Sequence, residues 1–89
     1  MLNARQTRAR DLYQSGVRFL GSGRTAQARE SLLACVRADS TAADCHRALG
    51  ALYLQGKNPA KGRRHLERYL ELAPEAPDAA TIRATLQRP

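Results

Sequence analysis

Four side chains in this sequence are of the types that most often hold a metal or attack a bond: Cys35, Cys45, His46 and His65. Structural zinc sites take such ligands as tight pairs on turns, usually about two to four residues apart. Cys35 and Cys45 are ten residues apart, and Cys45 and His46 are adjacent. Adjacent helical residues point about 100° apart and do not readily share one ion, so no metal is expected. A Cys35–Cys45 bridge is geometrically conceivable, because consecutive helices pack there. Two buried, reduced thiols are nevertheless the expected state, since two cysteines are too few for a disulfide framework and suit a reducing compartment. Catalysis finds no better footing. The two histidines fall on separate expected helices, no Ser or Cys sits in an evident strained turn, and no carboxylates are paired at a fixed spacing. Gly21-Ser22-Gly23-Arg24 has the look of a phosphate loop but lacks the longer glycine spacing and the Lys-Ser/Thr ending; a helix stop explains it. The chain reads as a protein that is not an enzyme and needs no cofactor.

The elements that must position these residues are helical. The chain has 89 residues, no Trp, one Phe and three Tyr, so its core must come from Leu, Ala, Val and other small side chains. β-branched residues are scarce, whereas Ala, Leu, Arg, Gln and Glu favour helix. Local signals predict five helices. The first runs from about Asn3 to Leu20 and stops at Gly21-Ser22-Gly23. The second begins near Thr25 as N-cap and reaches about Ala38. Asp39-Ser40-Thr41 supplies a turn and capping oxygens for a third helix, about Ala42 to Gln55, which Gly56 ends. Asn58-Pro59 restarts the chain as a capping Asn followed by Pro at the first helical position, and that fourth helix stops before Pro74. Pro77 opens a fifth through about Gln87. The connections are short, which makes neighbours antiparallel.

An offset of thirty-four residues brings like onto like: Gly16 onto Gly50, Phe19 onto Tyr53, Leu20 onto Leu54, Leu32 onto Leu66, and Ala28 onto Gly62. A mid-helix glycine costs about 1 kcal/mol relative to Ala. Its presence twice at one register predicts a partner helix too close for a side chain, with Ala28 and Gly62 as the small residues opposite. Phe19, Tyr53, Leu32 and Leu66 are expected to fill the wedge between paired helices. Two helices cannot bury such a face alone, so the pairs must stack.

Leu12, Gly16, Phe19, Ala28, Leu32 and Cys35, followed by His46, Gly50, Tyr53, Gly62, Leu66, Tyr69 and Pro74, resemble two tetratricopeptide repeats; Leu49-Gly50 with Tyr53, and Leu72-Ala73-Pro74, are the most recognisable pieces. His46 stands where a large apolar residue is usual, Ser40 replaces the closing proline, and Cys35 replaces a small Ala. The resemblance implies a single all-α domain over 1–89, built of antiparallel helix hairpins stacked as a short right-handed superhelix. Repeat 1 would cover about 9–42, repeat 2 about 43–76, and a capping helix about 77–87.

The resemblance also implies a concave groove, lined by the first helix of each pair, that holds a peptide or helix from a partner protein. Its positions are Arg10, Tyr13, Val17, Leu20, Asp44, Arg47, Ala51, Leu54 and Gln55, with Asp78 and Thr81 at the far edge. Tyr13, Val17 and Leu20 follow helical spacing, as do Arg47, Ala51 and Leu54. A partner with an apolar anchor over Val17, Leu20, Ala51 and Leu54, and an acidic group near Arg10 and Arg47, is expected. Family members that clamp a chaperone's C-terminal carboxylate need Lys, Asn and Arg at positions that here hold Tyr13, Val17, Ala48, Asp78 and Ile82, so that specificity is not expected. A helix from an identical chain, or from a neighbouring domain of a longer parent, is an alternative occupant.

The formal charge is +7, from thirteen Arg and two Lys spread along the chain. Such a balance suits acidic partners. Helical arrays that read RNA, however, carry polar base-reading residues in the groove, where this chain has Val, Leu and Ala. Lys57, Lys61, Arg63, Arg64 and Arg68 fall on the second helix of their pair, on the convex side, and are expected to solvate it; binding of nucleic acid or of an anionic surface through the basic residues is an alternative. No stretch approaches the ~20 apolar residues that cross a bilayer, and the expected location is cytoplasmic.

Overall fold

Asn3 shows how the first helix is started. Its side chain accepts a hydrogen bond from the Gln6 amide at 2.9 Å, and the Gln6 side chain accepts one from the Asn3 amide at 3.0 Å, a reciprocal cap that satisfies two of the unpaired donors at a helix start. In the computed structural model, which describes residues 1–88, α1 spans Ala4–Gly21, α2 Thr25–Ala38, α3 Ala43–Gln55, α4 Pro59–Leu72 and α5 Ala79–Gln87. No strand occurs among the described residues. The fold is all-α.

The stop and start signals act with local differences. After α1 the Ser22 hydroxyl donates to the Arg18 and Phe19 carbonyls, and Gly23 adopts φ 76°, the left-handed geometry open to glycine. Thr25 is the first helical residue rather than the cap; Arg24 holds the cap position without a side-chain bond. Asp39 accepts from both the amide and the hydroxyl of Thr41, at 2.9 and 2.6 Å. Its oxygen is thus spent closing the turn, and α3 starts at Ala43 with no side-chain cap. Asn58 does cap α4, accepting from the Lys61 amide at 3.2 Å with Pro59 in the first turn. Pro77 and Asp78 form a turn, so α5 begins at Ala79, two residues later than expected.

The principal packing partners are α1 with α2 and α3 with α4, then α2 with α3 and α4 with α5. Hairpin thus leans on hairpin through α2 and α3. One core cluster joins Ala9, Leu32, Cys35, Cys45 and Leu49; another joins Leu66, Tyr69 and Ile82. Within the second hairpin the approach is backbone on backbone. A Cβ on Gly62 would lie 2.8 Å from the Leu54 nitrogen and 2.9 Å from the Gly50 carbonyl oxygen. One on Gly50 would lie 2.6 Å from two side-chain carbons of Leu66. The first hairpin repeats the seat more loosely, with Gly16 facing Leu32 at 2.9 Å and the Ala28 carbonyl at 3.6 Å. Leu32 is fully buried in that seat, Leu66 nearly so, whereas Phe19 and Tyr53 are only half-buried. The wedge is filled by the leucines, with the aromatics only partly buried.

The thiols expected to stay reduced are joined: Cys35 and Cys45 form a disulfide. The cause is the packing of α2 on α3, which brings their α-carbons to 6.4 Å, within bridging range. The bond ties the end of the first hairpin to the start of the second, and both cysteines are buried.

Three measurements of stability check this packing. Gly62→Ala should lower stability by about 1–3 kcal/mol, overpacking outweighing a helix-propensity gain of about 1 kcal/mol. Gly21→Ala, where nothing lies within 4 Å of the added carbon, should be neutral or stabilising. Reduction of the disulfide should cost about 2–3 kcal/mol, as expected for a loop of this length. Urea unfolding of the variants, and of the wild type with and without reductant, reads all three.

Candidate functional site

The groove residues expected on α1 and α3, Val17 and Leu20 excepted, divide between two hollows. Arg10 and Tyr13 of α1 meet Asp44 of α3 around a cavity of about 210 Å³, floored by Cys35 and Cys45 and bordered by Gln6, Asp39 and Ala43. Arg47, Ala51, Leu54 and Gln55 of α3 meet Ile82 and Thr85 of α5 around a second cavity of about 260 Å³. Asp44 and Arg47 are three residues apart on α3, so they share a face and join the hollows into one track across α1, α3 and α5. Val17 and Leu20 stand on α1 as exposed apolar side chains, 45% and 37% accessible, and Ala51 is exposed. Tyr13 is half-buried against the first core cluster. Leu54 is half-buried as well: its backbone nitrogen and Cγ sit where a side chain on Gly62 would go. It serves the hairpin seat as well as the groove. Thr81 is exposed on α5, and Pro74 lies exposed in the turn after α4.

The electrostatics of the track differ from the expectation at Arg47. Its guanidinium pairs with the Asp78 carboxylate, which also accepts from the Tyr69 hydroxyl at 2.7 Å. The Tyr69 hydrogen bond, then the Arg47 bond, holds the Asp78 carboxyl below its ordinary value; the same contact raises Arg47. Asp78 thereby ties the start of α5 to α3 and α4, and Arg47 is neutralised within the chain. Arg10 makes no ion pair among the described residues, although Asp39 and Asp44 border the same hollow. Arg63, grouped with the convex basic residues, instead donates to the Leu86 carbonyl near the end of α5, where a cation also suits the helix dipole.

On the other side of α3 the two histidines meet, which sequence separation had concealed. His46 Nδ1 lies 3.0 Å from His65 Nδ1, and His46 Nε2 lies 2.9 Å from the Ser40 carbonyl oxygen. His46 is 8% exposed, and the polar contacts explain how it occupies an apolar position. His65 stacks on Tyr53 with centroids 5.8 Å apart and planes at 10°. Burial first, then the charges of His46, Lys61 and Arg64, lowers its pKa. The signal available in the sequence is that His46 stands ten residues before Gly56 and His65 nine after it; residues equidistant from a hairpin turn face each other. With the cysteines bonded to each other, no group of three or more metal-ligating side chains exists among the described residues. No described helix is long and apolar enough to cross a membrane.

Asp78 yields a pH prediction. A depressed carboxyl contributes stability above its unfolded value and loses it as pH falls through the folded one. Docking of α5 should therefore weaken as pH drops below the ordinary 3.8, with α5 chemical shifts moving toward coil. Asp78→Asn should show that displacement at neutral pH; unchanged α5 shifts in the variant would contradict the assignment.

A family model described as tetratricopeptide repeat matches residues 19–86. No curated protein and no solved structure matches the chain.

Proposed function

The chain belongs to the tetratricopeptide repeat family, and from that premise we propose that it is an adaptor that receives a peptide or helix of another protein along the α1–α3–α5 track. Repeats of this family are generally protein–protein interaction modules. Under this reading residues 9–42 and 43–76 are the two repeats and residues 77–87 the cap. The observation that carries it is the pair Val17 and Leu20, large apolar side chains left exposed on the first helix; the hollow formed by Ala51, Leu54 and Ile82 offers further apolar surface on α3 and α5. An apolar anchor of the partner would cover them. The partner's acidic group would meet Arg10, since Arg47 is engaged by Asp78. A second copy of this chain is the competing occupant. The Cys35–Cys45 bond bears on compartment: such bridges persist where the surroundings are oxidising and are rare in the cytosol, which weighs against the cytoplasmic expectation.

The test is capture of partner by the immobilised protein. Val17→Glu with Ala51→Glu places two carboxylates on the track without touching the hairpin seat that a change at Leu54 would disturb. Helicity should be unchanged and capture reduced roughly tenfold or more, while Arg64→Glu on the far face leaves it intact. Undiminished capture by the double variant contradicts the groove reading. A wild-type mass of two chains in sedimentation that the double variant returns to one favours self-association.

A further inference from the structure

The side of α3 turned away from the track carries a cleft of about 380 Å³, lined by Leu33 from α2, His46 and Tyr53 from α3, and Lys61, Arg64, His65 and Arg68 from α4. We propose that this cleft is an oxyanion site for a sulfate or phosphate-ester group, and that the His46–His65 pair takes up one proton when the anion binds. The site is independent of the partner groove.

Three observations support it. The cleft is cationic and has no carboxylate among the described residues that line it. Lys61 and Arg64 make no ion pair among the described residues, and Arg68 has only a loose 3.8 Å contact with the exposed Glu71. Lys61 is held over the Tyr53 ring, 5.6 Å from its centroid, and Tyr53 is stacked on His65, so the donors rest on a packed floor. Within that floor His46, more than nine-tenths buried, is fixed by two polar contacts.

The hydrogen bonds also dictate where a proton can go. The Ser40 carbonyl only accepts, so His46 must carry its hydrogen on Nε2. Neutral His46 then offers a bare Nδ1, and His65 donates to it from Nδ1–H. That leaves the lone pair of the pair on His65 Nε2, which has no partner among the described residues. It reaches solvent, because among the described residues no buried side-chain polar atom lacks a partner. A proton added there converts His65 to a cation and strengthens the bond to His46. A second proton would set two N–H groups against each other at 3.0 Å, so the pair accommodates one.

The charged groups facing His65 are Lys61, Arg64 and Arg68 on α4; α3 contributes the neutral His46 and the Tyr53 ring, and α2 only the uncharged Leu33. All of these charges oppose protonation. An oxyanion among them reverses that balance and draws a proton onto Nε2. By linkage, affinity must then rise as pH falls through the histidine value of the bound form, and level off below that of the free form.

Sulfate is the probe, since it keeps both charges over this range while phosphate does not. Titration calorimetry of the intact chain with sulfate, against chloride at matched ionic strength, should show one saturable site. Binding should be about three- to tenfold tighter near pH 5.5 than near pH 7.5, with proton uptake visible as a dependence on buffer ionisation heat. His65→Gln, which can still donate to His46 Nδ1, should bind sulfate with no pH dependence. Lys61→Ala with Arg64→Ala should lose binding at both pH values. Glycerol 3-phosphate and phosphatidylcholine vesicles with or without phosphatidic acid distinguish a free ester from a lipid headgroup; binding of either supports the site. Sulfate binding no stronger than chloride, or a pH dependence that survives in folded His65→Gln, overturns it.

Discussion

Backbone meeting backbone where α3 crosses α4 is the contact on which the rest of this structure depends. A carbon on Gly62 would fall within 3 Å of main-chain atoms of Leu54 and Gly50, and main chain cannot step aside as a flexible side chain can. The two helices therefore approach more closely than ordinary residues permit, and Leu66 locks into the space beside Gly50. The first hairpin uses the same device with Gly16, Ala28 and Leu32. Close seating decides which sides of α1 and α3 are buried and, by subtraction, which sides are left for other work.

What is left divides into two surfaces of different chemistry on opposite sides of α3. The track along α1, α3 and α5 is apolar where Val17, Leu20 and Ala51 are exposed and polar where Arg10 and Asp44 sit. The cleft behind it is cationic and built on a pair of imidazoles. α3 contributes to both, with Asp44, Arg47 and Ala51 turned one way and His46 and Tyr53 the other, so one short helix organises both surfaces. The Cys35–Cys45 bond fixes the entry to α3 against α2, and the Arg47–Asp78–Tyr69 cluster fixes α5 against its other flank.

Local chemistry made most of the architecture legible in the residues alone. Helix limits followed from Asn3, Gly23, Asn58 and Pro59, whose effects act over a turn or less of chain, and the glycine register followed from a repeat that any packing of like hairpins must respect. The features that escaped are those created only when separate helices meet. His46 and His65 are nineteen residues apart, Arg63 and Leu86 twenty-three, Arg47 and Asp78 thirty-one. Arg47 read as a free groove cation because the carboxylate that pairs with it, Asp78, is remote in sequence, while Asp44, three residues away, forms no ion pair with it among the described residues. The cysteine bridge was visible as a geometric option, but its closure depends on how tightly α2 lies on α3, a distance that spacing alone does not supply.

The close seating can be observed directly by proton NMR in solution. Nuclear Overhauser contacts should link the Gly50 α-protons to a Leu66 δ-methyl and the Gly16 α-protons to a Leu32 δ-methyl, with both leucines showing well-dispersed methyl shifts. If those contacts are missing and the two leucines resonate at random-coil positions, the hairpins do not close through their glycines, and the division into a partner track and an anion cleft has no foundation.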